Sequence, residues 1–282
     1  MTGIAFALTA SLSWGFADFL AGLKSRSLPV LAVLVVSQPA GLAVVAVLVA
    51  VRGAPAPDAR HALYAALGGW AGIVGLAAFY RGLSVGAMSV VAPLSATAAL
   101  VPLAVGLATG ERPSSLQGAG VALALVGVVL ASREAEVEAR RGNRMAAGVG
   151  LALIAALGFG LLFVAVDAAT AGGADVLWVT FLLRSASLTL VLAAALAVRP
   201  RLPRHPRTLA VLLLVGVLDM SANALFAAAS TRGLVSVVAV LASLYPVVVV
   251  LLARVVLNER IARAQQAGVA LALAGVALIS AG

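Results

Sequence analysis

The chain has 282 residues, 63% of them hydrophobic and 10% charged, with a mean hydropathy of +1.15 and a formal net charge of +9. Soluble domains carry about 25% charged residues, so this composition excludes an ordinary soluble domain and requires lipid against most of the surface. The lack of cysteine excludes disulfides and thiolate metal sites and leaves the redox compartment open.

At about 20 residues per span, ten helices are expected in chain order: Ile4–Leu23, Val30–Val51, Ala62–Leu83, Ala87–Thr109, Leu116–Ser132, Ala146–Thr170, Val176–Val198, Thr208–Ser230, Leu234–Leu257 and Ala264–Ala281. The breaks are marked by Pro29, the run from Arg52 to Pro57, Glu111-Arg112-Pro113, Gly172-Gly173 and the run from Arg199 to Pro203. The first helix does not read as a cleavable signal: it lacks a basic start and contains Trp14 and Asp18 where a small-residue cleavage motif would lie. The charged stretch 133–144 reads as a linker between residues 1–132 and 145–282.

The two halves repeat one another. Gln117-Gly118-Ala119-Gly120-Val121 recurs as Gln265-Gln266-Ala267-Gly268-Val269, and Glu111-Arg112 falls on Glu259-Arg260 at the same spacing of 148. Arg81-Gly82-Leu83 recurs as Arg232-Gly233-Leu234, and Ser89-Val90-Val91 as Ser236-Val237-Val238. Five helices per half is an odd number, so the halves cross the membrane in opposite senses, an inverted repeat that puts a binding site between them near the midplane. The glycines Gly118, Gly120, Gly127, Gly268 and Gly275 are expected to pack helices closely, because apolar burial does not drive association in lipid.

Ser13-Trp14-Gly15-Phe16 resembles the "WG" signature of the EamA-type drug/metabolite transporters. Ser243-Leu244-Tyr245-Pro246, then Leu257-Asn258-Glu259-Arg260, then Gln265 to Gly275 resembles that family's repeat. The first half departs from it, with Ala98 where the second half has Pro246 and Pro102 one turn later. The resemblance spans essentially the whole chain. It implies an all-α membrane protein with ten transmembrane helices as two five-helix repeats around a central cavity, and export or exchange of small metabolites.

Ionisable residues inside a membrane are expensive and mark function by default. Call the side of the loop between the first two helices side B. At 1.5 Å per residue, Asp18 lies about 8 Å from side B, Gln38 about 12 Å, Asp219 about 16 Å, Arg184 about 21 Å and Asn223 about 22 Å. Arg184, Asp219 and Asn223 therefore sit near the middle of a core about 30 Å thick. Arg184 and Asp219 are expected to meet, directly or across Asn223. Trp14 lies four residues from Asp18 on one helix face. Asp18 has no arginine at its depth within a span, which favours it as a proton carrier. The candidate substrate-binding residues are Trp14, Asp18, Gln38, Arg184, Asp219, Asn223 and Tyr245. Trp70 and Tyr80 suit interface or packing positions. Arg81, Arg232 and Arg254 can snorkel from helix ends, Asp167 suits the far interface, and Glu111 and Glu259 suit structural roles at helix ends.

A free guanidinium fork on Arg184 would rank amino acids and other carboxylate-bearing solutes above organic cations. The alternatives are a lipid scramblase or channel, and an intramembrane enzyme. For an enzyme, no HExxH and no paired catalytic aspartates occur, and His61 and His205 lie in loops. No cofactor or metal is expected. The basic residues fit loops rather than nucleic-acid binding: 14 of the 19 lysines and arginines fall on side B. The positive-inside rule puts that side in the cytoplasm, with both termini outside; the resemblance implies cytoplasmic termini instead. The expected partners are the lipid bilayer of the cell (inner) membrane, a small-molecule substrate, and a proton or counter-substrate, in a monomer or homodimer. With no nucleotide-binding motif, an ion or substrate gradient supplies the drive.

Overall fold

The computed structural model describes residues 2–85, 88–132, 144–257 and 263–281. Among these the regular elements are all helical: α1 (Thr2–Ser25), α2 (Val30–Arg52), α3 (Ala59–Val85), α4 (Met88–Ala96), α5 (Leu100–Ala108), α6 (Ser115–Ser132), α7 (Arg144–Thr170), α8 (Val176–Val198), α9 (Pro206–Ser230), α10 (Val235–Ala242), α11 (Tyr245–Leu257) and α12 (Arg263–Ala281). Among the described residues, six helices are long and apolar enough to cross a membrane: α1, α2, α3, α7, α8 and α9. The remaining apolar helices are shorter.

Two helices expected to be continuous are broken. The segment expected over Ala87–Thr109 splits into α4 and α5 around a 3-10 turn at Thr97–Ala99. Pro102 has no N–H for the carbonyl of Ala98, and the chain tightens there. The segment expected over Leu234–Leu257 splits into α10 and α11 around Ser243 and Leu244. Pro246 leaves the carbonyl of Ala242 without its helical donor in the same way. The two breaks occupy corresponding positions in the two halves.

Helix α3 starts three residues earlier than expected, because the Asp58 carboxylate accepts the His61 backbone N–H at 3.0 Å and caps the first turn. Helix α9 also starts early, with Pro206 at its first position, where the missing N–H costs nothing. Asp175 caps α8 by accepting from the backbone N–H groups of Leu177 and Trp178, and it pairs with Arg52 at 2.7 Å. The expected linker lies outside the described residues except for Arg144.

The packing exchanges the halves. The third helix of the first half, α3, lies along α7, the first of the second half; α9, the third of the second half, lies along α1. The last helices, α6 and α12, pack on each other. Glycine permits these approaches. A Cβ on Gly120 would lie 2.7 Å from the Gly275 carbonyl oxygen, and one on Gly275 would lie 2.6 Å from that of Gly120. Gly118, expected to pack in the same way, faces open space instead. Large apolar side chains such as Val51, Leu196 and Val255 point outward, while Phe79, Tyr80, Phe226 and Met220 fill the interior. An apolar exterior around an apolar interior suits a lipid surround.

Candidate functional site

The interior holds a small cavity whose wall is drawn from α1, α3, α7, α8, α9 and α11. Six of the seven candidate residues line it: Trp14 and Asp18 on α1, Arg184 on α8, Asp219 and Asn223 on α9, and Tyr245 at the start of α11. Gln38 on α2 does not line it. Gln38 is fully enclosed behind the wall, at 1% exposure.

Arg184 is the hub. Its Nη2 donates to Asp219 Oδ2 in an ion pair, its Nη1 donates to Gln38 Oε1, and its Nε donates to Met220 Sδ at 3.2 Å. The expected meeting of Arg184 and Asp219 is direct. The 9 Å difference in counted depth between Gln38 and Arg184 (roughly, at 1.5 Å per residue) is spanned by the long arginine side chain. Gln38 is a partner of the guanidinium. The fork is thus engaged on both arms, which removes the ground for expecting a carboxylate on it.

The other oxygen of Asp219 faces the first half. Trp14 Nε1 donates to Asp219 Oδ1 at 3.1 Å, and Asn223 Nδ2 donates to the Asp219 carbonyl oxygen at 2.7 Å and lies 3.5 Å from Oδ1. The register of α1 on α9 is held one residue away, where Ser13 Oγ donates to the Leu218 carbonyl oxygen at 2.8 Å. A single buried carboxylate therefore ties Trp14 to Arg184 across the halves. Trp14 and Asp18 share the cavity wall, but the indole N–H goes to Asp219.

Asp18 is 5% exposed and, among the described residues, makes no hydrogen bond and no ion pair. Tyr80 faces it from α3 with a fully buried hydroxyl that has no hydrogen-bond partner. Tyr245 closes another part of the wall, with its hydroxyl 2.6 Å from Ser95 Oγ on α4. Two aromatic clusters flank the charges. Trp14, Phe163 and Phe226 have ring centroids 4.5–6.0 Å apart. Phe79 meets Phe159 and Tyr245 edge-on at 5.8 and 6.0 Å.

Sequence reading missed Met220, Ser95, Phe159 and Phe163. Met220 was legible as the immediate neighbour of Asp219; nothing in the sequence marks the other three. Trp70 lies outside the cavity, donating to Thr189 Oγ1 at 3.3 Å. Glu111 has the structural role expected for it: its carboxylate accepts the backbone N–H groups of Val235 and Ser236 at 2.8 and 3.2 Å, capping α10 of the other half. Glu259 lies outside the described residues. No group of three or more metal-ligating side chains occurs among the described residues.

No curated protein matches the chain significantly. A solved crystal structure is similar at a TM-score of 0.76 and 18% identity, covering 98% of this chain and 95% of that one, which shows the fold. The family model described as the EamA-like transporter family matches twice, over residues 1–133 and 146–281. Together with the apolar helices, these two matches make the protein a multi-pass integral membrane protein, and the chain belongs to the EamA-like transporter family of the drug/metabolite transporter superfamily.

Proposed function

We propose that the chain is a secondary transporter that exports or exchanges a small metabolite across the cell (inner) membrane, holding its solute in the cavity between the halves. Ten spans form two inverted five-helix repeats, residues 1–132 and 145–282, joined by the linker 133–144. The exchange of packing partners between the halves supports the inverted arrangement, as do the two broken helices in corresponding positions. The observation that carries the reading is the enclosed charge network. Arg184 and Asp219 come from the second half, Trp14 and Gln38 from the first, and they meet beside the interior cavity. Buried charges at this depth are costly and suit a solute pathway. Trp14, Asp18, Asn223 and Tyr245 would contact the solute, and Arg184, Asp219 and Gln38 would hold the network that shapes it.

The test compares metabolites in cells and medium with and without overexpression of the chain. A metabolite that accumulates in the medium, and ceases to when Arg184 is replaced by alanine, supports the reading. Liposomes containing the purified protein separate it from a scramblase: a labelled polar metabolite should cross while a labelled lipid stays in its leaflet. Movement of the lipid alone would overturn transport.

A further inference from the structure

The carboxyl groups in the cavity wall outnumber the cations. Two carboxylates, Asp18 and Asp219, face one guanidinium, Arg184. That guanidinium is engaged by Asp219 and Gln38, and Asp219 is further held by Trp14. Asp18 is buried to the same degree and, among the described residues, has no cation beside it, only the Tyr80 hydroxyl. A buried carboxylate without compensation is expensive, and the cost falls when a positive group arrives. The nearby hydroxyl of Tyr80 is an unused acceptor as well as a donor. Apart from Ser187 and Asn223, the rest of the wall is aromatic and aliphatic, with Trp14, Phe159, Phe163 and Tyr245 lining the cavity.

A carboxyl group with no cation beside it, an aromatic wall and a neutralised guanidinium are the complement of an amine on an apolar body. The ammonium donates to the carboxylate and lies against ring faces, where the ring quadrupole attracts it. A carboxylate-bearing solute without an amine would bring a further acid group beside Asp18 and Asp219, with the guanidinium of Arg184 already paired. We infer that the cavity selects solutes carrying a cationic amine, with Asp18 as the counter-ion and the aromatic wall holding the carbon skeleton. This inference rests on the cavity being the solute site of the proposed transporter.

Three ligands with one phenyl ring test it: phenethylamine, which carries only the amine; 3-phenylpropionate, which carries only the carboxylate; and phenylalanine, which carries both. Each is titrated calorimetrically into the full chain in lipid nanodiscs. Phenethylamine should bind roughly tenfold or more tightly than 3-phenylpropionate, as expected for an ion pair in a partly dry site. Asp18→Asn should remove that preference, and Asp18→Glu should keep it. The ligand order in the unaltered protein decides the matter even if Asp18→Asn does not fold. Tighter binding of 3-phenylpropionate, equal binding of the two, no binding of phenethylamine, or an unchanged preference in Asp18→Asn would each overturn the inference. The readout is binding rather than flux, so a negative result here leaves the transport reading to the efflux experiment above.

Discussion

Tyr245 and Ser95 join the two broken helices of the bundle. Tyr245 is the first residue of α11, just beyond the break at Ser243 and Leu244, and Ser95 lies two residues before the 3-10 turn that separates α4 from α5. Their hydroxyls are 2.6 Å apart and buried. The same Tyr245 ring lines the cavity. The irregular backbone of each half is therefore tied to that of the other at the cavity wall, where non-helical chain can be accommodated at membrane depth.

Interhelical hydrogen bonds in membrane proteins average about 0.6 kcal/mol in double-mutant cycles. Tyr245→Phe and Ser95→Ala should each lower stability modestly, and the double change should cost less than the sum by about that amount. A cycle of unfolding measurements in detergent checks this. Additive single effects would mean that the two breaks are not coupled through these hydroxyls. The larger effect is expected on transport rate, because the bond connects the two segments with the weakest helical continuity.

Arg184 and Asp219 should behave differently. Both are almost fully buried, and removing one leaves the other without its counter-charge. By analogy with soluble proteins, that costs about 3–5 kcal/mol. Arg184→Ala should abolish folding or transport, while Arg184→Ala combined with Asp219→Ala should recover part of the lost stability. Thermal denaturation of the purified variants measures it. A double variant as damaged as the sum of its parts would show that the pair does not act as a unit.

Close helix approach is a separate requirement from the charges. A Cβ on Gly216 of α9 would collide with the Ser37 carbonyl oxygen of α2, and a Cβ on Gly41 would lie 2.6 Å from the Gly216 carbonyl oxygen. Neither obstacle is the end of a flexible side chain, so the helices must part. Because Gln38 follows Ser37 directly, parting them also draws Gln38 away from Arg184. Gly216→Ala should cost about 1–3 kcal/mol, the usual range for overpacking. Gly118→Ala, which meets only open space, should be neutral or slightly stabilising. Equal melting temperatures for the two variants would sink this explanation.

What the sequence disclosed follows from what periodicity and depth can carry. Helix positions were legible because prolines, glycines and charges punctuate long apolar runs. Arg184 and Asp219 were legible as a pair because depth can be counted along a helix. The breaks at 97–99 and at Ser243 and Leu244 were not read, since an apolar run of more than 20 residues looks continuous; yet Pro102 and Pro246 each mark the carbonyl that loses its donor. The bonds from Trp14 to Asp219 and between Ser95 and Tyr245 were not legible at all. They depend on how helices from opposite halves are rotated against each other, and one sequence holds no record of that rotation. The same limit explains Gln38: its depth was counted, but the side chain it faces could not be.

Orientation is open to a simple measurement, because the chain contains no cysteine. The excess of lysine and arginine on the side of the loop between α1 and α2 would put that side in the cytoplasm by the positive-inside rule. Thr2 and Ser27 are exposed at opposite ends of α1 and its following turn. Thr2→Cys should react with an impermeant thiol reagent on intact cells, and Ser27→Cys only after lysis. The reverse pattern would place the termini in the cytoplasm, as the family resemblance implied, and would show that the charge count does not set the topology of this chain.

The last prediction concerns energy coupling. A transporter driven by a proton gradient needs a group that holds the proton in one state and releases it in another. Asp219 is already engaged on both oxygens, by the Arg184 ion pair and by the Trp14 hydrogen bond. Asp18 is the better carrier. It faces the cavity, and among the described residues it has no competing cation. A proton and a cationic solute would then compensate the same carboxylate in turn, so that binding one releases the other. Asp18→Asn cannot carry a proton in this range and should abolish solute uptake driven by a pH gradient across liposomes. Exchange of solute for solute, which needs no proton, should survive to the extent that the amide still binds the solute weakly. Comparing the two modes in the same liposome preparation makes the test internal. Undiminished proton-driven flux in the variant would return Asp18 to a structural role, and equal loss of both modes would assign it to solute binding alone.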